Sequence, residues 1–366
     1  MTSPNETAVE VVDLAKDYGP ITALDSVSFS IPRGSYHVLL GPSGGGKTTL
    51  LRLIGGFVRP TRGRVLLHGQ DVSDAPPNKR PTSMVFQSYA LFPHMSVERN
   101  VGYGLKLQKM AKEQIREAVD QMLGLVGLEG YNRRMPHELS GGQQQRVQLA
   151  RSLVLESDIL LLDEPLASLD AKLRKDMCIE LKRIQEKIGI TFIHVTHNQE
   201  EAMTIADRIA IIADGRLVEE GSPREVYERP VRRFTANFIG ENNIIDGRVT
   251  GRNGDRFSID TGFAEVDVVA VGHDIPTGTE VAISVRSELL QLLRESRAAD
   301  GRVQTLPATY VEEVYLGLTT LHLVRLPNEI EITVRQISGD MAGSVFQPGQ
   351  AVQVGWKTAE ARLHTE

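Results

Sequence analysis

The sequence predicts two domains of different class, an α/β domain with a mostly parallel sheet over residues 1–240 and an all-β domain over residues 241–366. In the first region, short apolar runs that suit strands buried on both faces alternate with helical stretches. The second region reads as strands separated by glycine and proline turns. The charge changes at the same point, because the first region has 30 basic and 29 acidic residues and the second has 11 and 18.

The α/β domain is predicted from apolar runs and helical periodicity. Strands are expected at 8–12, 26–31, 36–40, 159–162, 192–195 and 209–212, and helices at 48–54, 112–127, 143–155 and 171–187. In the last helix, apolar residues recur at steps of three and four. A helical subdomain is also expected within this domain.

The second domain is predicted as a small β-barrel of the oligonucleotide-binding type. Candidate strands lie at 249–268, 281–285, 308–326, 329–334 and 351–356, and turns at 252–254, 276–278 and 348–349.

Composition excludes several classes of protein. The net charge of −6 gives no basic excess for binding nucleic acid. Cys178 is the single cysteine, so no disulfide can form within one chain and a reducing compartment is expected. We find no run of about 18 apolar residues and no secretory signal in residues 1–10, so any membrane role is expected to come through a partner.

A glycine-rich turn between a predicted strand and a predicted helix fits the pattern G-x-x-x-x-G-K-[ST] of a P-loop NTPase. Its residues are Gly41, Pro42, Ser43, Gly44, Gly45, Gly46, Lys47 and Thr48, followed by Thr49. Backbone N–H groups of such a loop cradle phosphates, the lysine reaches the β and γ phosphates, and the hydroxyl can bind Mg²⁺. The alternative is a flexible linker, which the flanking strand and helix disfavour.

Two further segments suit a nucleotide site. The strand at 159–162 ends in Asp163, a candidate Mg²⁺ ligand, and Glu164, a candidate general base. Taken alone, the two could be solvated acids before a turn. Ser140, Gly141, Gly142 and Gln143 open a helix, and they are either an ordinary serine cap or a second place where a phosphate could bind.

With these motifs, the sequence resembles ATP-binding-cassette (ABC) transporter ATPases. The segment 139–145 matches the signature motif of that family, and four other positions follow its order. Tyr18 matches the aromatic that stacks on adenine, Gln87 the Q-loop glutamine, Asp170 the D-loop aspartate and His197 the switch histidine. Gly45 departs from the family, which often has cysteine or serine there, and we expect a more flexible loop that still binds ATP.

The resemblance implies a head-to-tail homodimer. Ser140 and Gly142 of one copy would close over the γ-phosphate that Lys47 of the other copy holds. ATP and Mg²⁺ are the implied substrate and metal, with Thr48, Gln87 and Asp163 near the metal. Glu164, Gln87 and His197 would serve catalysis.

The C-terminal region resembles the small β modules, known as TOBE domains, that are appended to importer ATPases. The matches are 285–288, 311–317 and 355–357. Segments 86–95 and 171–175 resemble the spermidine/putrescine branch. The implied partners are two permease subunits and, indirectly, a solute-binding protein, at the cytoplasmic face of the membrane.

Several alternatives stay open at this point. The solute could be a sugar, sulfate, ferric iron or an opine-like compound. A soluble ABC ATPase of DNA repair or translation is a rival, although such proteins tend to carry long insertions or two cassettes. A regulatory module with a vestigial ATPase is a second rival, which the intact Lys47, Asp163, Glu164 and His197 disfavour.

Overall fold

The computed structural model describes residues 7–87, 91–272, 274–293, 303–338 and 346–365. The chain divides into two compact units, Met1–Pro223 and Arg224–Glu366. The boundary that charge and texture predict, at 240/241, stays a prediction about domain organisation. Residues 88–90 of the segment 86–95 lie outside the described residues.

The first unit is built on two sheets. Its strands are β1 (Thr7–Tyr18), β2 (Ile21–Pro32), β3 (Tyr36–Leu40), β4 (Arg62–Leu67), β5 (Gln70–Asp71), β6 (Thr82–Val85), β7 (Ile159–Asp163), β8 (Thr191–Thr196), β9 (Arg208–Ala213) and β10 (Arg216–Gly221). The larger sheet has the order β10-β9-β3-β8-β7-β6, and its strands are parallel except for β10 at the edge. The smaller sheet, β2-β1-β4-β5, is antiparallel. The predicted parallel α/β sheet is confirmed.

The helices of the chain are α1 (Lys47–Ile54), α2 (Val97–Val101), α3 (Tyr103–Leu107), α4 (Lys112–Leu125), α5 (Gly141–Leu153), α6 (Ala171–Ile188), α7 (Gln199–Ile205), α8 (Pro223–Glu228) and α9 (Arg233–Phe238). The predicted helices at 48–54, 112–127, 143–155 and 171–187 are therefore confirmed to within two residues at each end. The stretch from α2 to α5 lies between β6 and β7 and forms the predicted helical subdomain.

Helix α1 packs between the two sheets of the first unit. Leu50, Leu51 and Leu53 share one buried cluster with β1 residues of the smaller sheet and with β7 and β8 residues of the larger sheet. Burial of each such side chain stabilises the fold by roughly 1.5–3 kcal/mol. This packing fixes the end of α1 that follows the glycine-rich loop.

The second unit is all-β apart from its short helices, as predicted. Its strands are β11 (Asn242–Asn253), β12 (Arg256–Asp260), β13 (Glu265–Val269), β14 (Glu280–Arg286), β15 (Gln291–Leu293), β16 (Val303–Tyr315), β17 (Thr319–Arg325), β18 (Glu331–Ile337), β19 (Ala351–Lys357) and β20 (Arg362–His364). They form two five-stranded antiparallel sheets, β13-β12-β11-β14-β20 and β15-β19-β16-β17-β18, around one apolar core. Two predicted single strands were wrong, because 249–268 and 308–326 each contain reversals of the chain and form separate antiparallel strands.

Candidate nucleotide-binding site

The glycine-rich loop connects β3 to α1, and all five residues of β3 are buried. Helix α1 begins at Lys47 after Gly46, which has a φ of +102°. A Cβ atom on Gly46 would lie 2.6 Å from the Ala23 carbonyl oxygen, so both the backbone conformation and the space require glycine. The loop thus places free N–H groups at the positive end of a buried helix, which suits an anion.

Lys47 is buried at the centre of this loop. Its ammonium donates hydrogen bonds to the carbonyl oxygens of Gly41 at 2.8 Å and Pro42 at 2.7 Å. Burial lowers the pKa of Lys47, and the nearby carboxylates of Glu164 and Asp163 act in the opposite direction. The lysine is therefore held by loop carbonyls that phosphate oxygens can replace as charge-assisted acceptors.

Gly45 is packed closely within the loop, and the more flexible loop that we expected at this position stays a prediction. It is buried, and a Cβ atom there would lie 2.8 Å from the Ile212 carbonyl oxygen and 3.2 Å from that of Pro42. Backbone atoms cannot move aside as the end of a side chain can. Glycine at this position therefore allows the loop to pack closely against β9.

Thr48 and Asp163 meet although 115 positions separate them in the sequence. The Thr48 hydroxyl donates to Asp163 Oδ1 at 3.0 Å. Burial raises the pKa of Asp163, while the Thr48 hydrogen bond and the charge of Arg52 lower it. A hydroxyl beside one carboxylate suits Mg²⁺, which usually takes one or two protein oxygens and fills its other positions with phosphate and water. The donors present fit this metal.

Glu164, Gln87 and His197 form a second group beside Asp163. Gln87 donates from Nε2 to Glu164 Oε2 at 3.2 Å, and His197 Nδ1 lies 3.3 Å from Glu164 Oε1. The structure thus brings together three residues that were predicted from separate motifs. Glu164 has a φ of +45°, in the left-handed region, and such backbone strain is concentrated at functional sites.

The helix start at 140–143 has Ser140 exposed and Gly142 buried, and its end groups hydrogen-bond to each other. Gln143 N donates to Ser140 Oγ at 3.4 Å, and Ser140 N donates to Gln143 Oε1 at 3.0 Å, which is a capping box. Gln143 Nε2 donates to the Tyr131 hydroxyl. Among the described residues, none of these hydrogen bonds reaches the glycine-rich loop of the same chain.

Asp170 and Tyr18 lie apart from these groups. Asp170 caps α6, since its Oδ1 accepts from Leu173 N at 2.9 Å. Tyr18 lies at the turn between β1 and β2 with 47% of its surface exposed, and the Lys16 ammonium is 5.0 Å from its ring centre. An exposed ring of this kind has a free face on which a flat base can stack.

Sequence reasoning missed the side chains that support this site. Arg174 was noted only within a family-like segment, and Glu201 and Thr196 were not singled out. They contact each other across two loops, as described below, and only the three-dimensional structure brings them together. The single thiol, Cys178, is buried on α6, and burial raises its pKa to about 12.

Membrane-spanning helices and clusters of metal-binding side chains are both absent from the described ranges. None of the helices there is long and apolar enough to cross a membrane. The same residues contain no group of three or more histidine, cysteine, aspartate or glutamate side chains arranged to hold a metal ion.

Comparison with family models gives two matches. Residues 24–167 match the model described as ABC transporter, and residues 283–363 match the model described as TOBE domain. The first match includes the glycine-rich loop, the helix start at 140–143 and both carboxylates. The second lies wholly within the second unit.

Curated relatives match over almost the whole chain. Spermidine/putrescine import ATP-binding protein PotA of Mesorhizobium japonicum is 45% identical over 357 residues, which is 96% of each chain. The protein of the same name from Pseudomonas aeruginosa is 42% identical and covers 98% of each chain.

Solved structures match the first part of the chain. CbiO1 of Clostridium perfringens, part of an ABC transporter complex, is 31% identical with a TM-score of 0.58, covering 61% of this chain and 91% of that one. A dimeric ATP-binding cassette in a post-hydrolysis state with ADP and Pi is 32% identical with a TM-score of 0.53, covering 59% and 99%.

Proposed function

The chain belongs to the ABC transporter ATPases that carry a TOBE domain, and on this premise we propose that it is the ATP-hydrolysing subunit of a spermidine/putrescine importer. One observation carries the catalytic part of the proposal. One carboxylate oxygen of Glu164 accepts a hydrogen bond from Gln87, and the other lies next to His197. This group is directly beside the pair formed by Thr48 and Asp163.

The glycine-rich loop binds the triphosphate. Lys47 exchanges the carbonyl oxygens of Gly41 and Pro42 for β- and γ-phosphate oxygens, and the N–H groups at the start of α1 face the same anion. Thr48 and Asp163 hold Mg²⁺, which neutralises charge on the phosphates when it is bound. Tyr18 stacks on the adenine.

Hydrolysis then depends on the second group of residues. Glu164 takes a proton from the attacking water while the water oxygen forms a bond to the γ-phosphorus. The bond between that phosphorus and the bridging oxygen breaks, which leaves ADP and phosphate. Gln87 orients the water and would be placed to contact the metal when it is bound. His197 contacts the γ-phosphate and keeps Glu164 aligned.

A second copy of the chain completes the site. Ser140 and Gly142 of that copy contribute the other helix start to the γ-phosphate, and Asp170 lies at the same interface. Among the described residues, their hydrogen bonds do not reach the loop of their own chain, which supports this arrangement, as does the dimeric cassette among the similar structures. Loss of the γ-phosphate removes these contacts, so the two copies separate.

Glu164→Gln tests the proposal most directly. It keeps the shape and the contact with His197 but cannot accept a proton, so we expect ATP hydrolysis to fall by about 100-fold or more. ATP and Mg²⁺ should then trap a stable dimer, measurable by size-exclusion chromatography. Glu186→Gln on the exposed face of α6 is the control and should hydrolyse ATP like the wild type. Undiminished hydrolysis by Glu164→Gln would refute the catalytic assignment.

The transport partners follow from the relatives. We propose that two permease subunits hold this chain at the cytoplasmic face of the membrane and that a solute-binding protein delivers the polyamine. Reconstitution of the complex in vesicles with labelled spermidine and labelled maltose tests the solute. ATP-dependent uptake of maltose without spermidine would contradict the polyamine assignment.

A further inference from the structure

The loop after Glu164 is held from behind by one arginine. Arg174, in the first turns of α6, donates from Nη2 to the Leu169 carbonyl oxygen at 2.7 Å and from Nε to that of Leu166 at 3.4 Å. This loop begins with the general base and ends with Asp170. The guanidinium therefore fixes the backbone on which both residues are mounted.

Glu201 on α7 connects the same arginine to the loop that carries His197. Its carboxylate lies 3.5 Å from Arg174 Nε, and its Oε2 accepts from the Thr196 hydroxyl at 2.7 Å. That hydroxyl oxygen in turn accepts from Asn198 N at 2.9 Å. The two residues that flank His197 are thus tied to a carboxylate that is only 4% exposed.

The contacts close a ring. From Glu164 they run along its loop to Arg174, across to Glu201, through Thr196 to His197, and back to Glu164 at 3.3 Å. Glu164 N also donates to the carbonyl oxygen of Val195 in β8 at 3.1 Å, which ties the strained residue to the same strand end.

We propose that Arg174 and Glu201 are positioning residues for ATP hydrolysis, which link the loop 164–170 to His197 so that both move as one unit. The inference rests on the proposed function, because it takes Glu164 and His197 as the groups that act on ATP. When a second copy touches the exposed end of the loop near Asp170, the Leu169 carbonyl draws Arg174 with it. Glu201 and Thr196 follow, so His197 moves with the loop and keeps its place beside Glu164.

The charges explain why the pair moves together. Burial disfavours ionisation of Glu201, yet the surrounding His194, Thr196 and Arg174 outweigh it and lower the pKa of this carboxyl. Separating Arg174 from Glu201 would remove one of the groups that stabilise this buried carboxylate, which is unfavourable. A displacement on one side is therefore passed on rather than absorbed.

The test compares kinetics with binding. Arg174→Met and Glu201→Gln should lower kcat about tenfold or more, because small errors in the placement of reacting groups reduce rates strongly. The KM for ATP and the affinity for a fluorescent ATP analogue should stay within about twofold, since neither residue touches the glycine-rich loop. Arg208→Met is the matched control, because its Nε pairs with Glu220 Oε1 at 2.8 Å far along the sheet, and kcat should be unchanged.

Two further variants separate positioning from general support of the fold. Arg174→Lys keeps a positive charge for Glu201 but cannot bridge two carbonyls and a carboxylate, so its kcat should lie between those of wild type and Arg174→Met. The double variant Arg174→Met with Glu201→Gln should lose no more activity than the worse single variant, because the pair acts as one unit.

The outcomes distinguish this inference from the proposed function. A kcat within twofold of wild type for Arg174→Met would overturn the inference, and so would parallel losses in nucleotide affinity and thermal stability that account for the drop in rate. Undiminished hydrolysis by Glu164→Gln would instead overturn the proposed function on which the inference rests.

Discussion

The starts of helices α1 and α5 both suit a phosphate, and they differ in the neighbouring groups that could bind a nucleotide. The start of α1 has buried Lys47 behind it, a left-handed glycine before it and the Thr48–Asp163 pair beside it. The start of α5 has an exposed serine whose hydrogen bonds are used in its own capping box. In the proposed function, the first binds a nucleotide within one chain, whereas the second adds to a site that another copy provides.

This difference explains why two similar anion-binding elements occur in one polypeptide. A helix N-terminus on the surface contributes modestly, about 0.3–1 kcal/mol at low ionic strength. It contributes more when closure of an interface removes water around it. The proposed division of labour therefore predicts that binding and hydrolysis can be lost separately.

The largest effect is expected from Lys47→Ala, which removes the buried ammonium from the start of α1. Loss of the buried ammonium should weaken ATP binding and reduce hydrolysis together, each by about 100-fold or more. Binding of a fluorescent nucleotide and steady-state hydrolysis measure the two. Lys182→Ala, which removes an ion pair with Asp207 at 2.7 Å, is the control and should leave both unchanged. Retained hydrolysis in Lys47→Ala would remove the contrast between the two helix starts.

A smaller and selective effect is expected from Ser140→Ala at the second helix start. Loss of the cap costs α5 about 1 kcal/mol. We expect hydrolysis to fall about tenfold while nucleotide affinity of the single chain stays within about twofold. Ser96→Ala is a close match, because Ser96 caps α2 through Arg99 N at the same 3.4 Å. Equal losses of hydrolysis in both serine variants would mean that the Ser140 effect is general destabilisation.

Mixing the two damaged proteins sharpens the comparison further. Lys47→Ala retains an intact second helix start, and Ser140→Ala retains an intact glycine-rich loop. In a head-to-tail mixed dimer, one of the two sites combines the intact parts, so the mixture should hydrolyse ATP faster than the average of the two proteins alone. Strictly additive activity would argue against a site shared between copies.

The smallest effect concerns the support beneath the first helix start. His37 in β3 is fully buried and stacks on Phe29, and neither ring nitrogen has a hydrogen-bond partner among the described residues. Burial, with a further contribution from the charge of Arg208, lowers its pKa from 6.5 to about 3. The unfolded chain therefore binds one more proton than the folded chain between these values, and stability falls as the pH falls.

This effect can be measured as a difference between two proteins in the slope of unfolding free energy against pH. Below pH 6.5 the wild type should lose about 1.4 kcal/mol of stability per pH unit relative to His37→Phe, in urea unfolding monitored between pH 6.5 and 5. His137→Gln replaces an exposed histidine and should leave the slope as in the wild type. Identical slopes for wild type and His37→Phe would show that His37 is not held neutral.

Much of the first unit could be predicted because its signals are local. The strand at 36–40 was assigned correctly since all five residues are buried, and the helix at 171–187 since its apolar spacing is regular. The glycine-rich loop and the acids after β7 could be assigned because each motif is contiguous. The second unit was predicted less well, because Gly317 at the turn lies between Leu316 and Leu318 and does not visibly interrupt the hydrophobic run.

What the sequence could not predict depends on atoms that meet across loops. The positive φ of Glu164 follows from how β7, β8 and the next loop meet, not from the identity of a glutamate. The Arg174–Glu201 contact joins two helices through arginine and glutamate, which are common on protein surfaces and do not stand out in a sequence. The close packing of Gly45 against Ile212 is also a tertiary effect.

The buried thiol described above gives this protein a practical property. The thiolate is the reactive form, and at neutral pH Cys178 is almost entirely protonated and shielded by α6. A cysteine introduced at an exposed position therefore becomes the single target for a fluorophore or spin label. Distances between labels on two copies can then test whether the proposed pair opens and closes during turnover, without first removing any native cysteine.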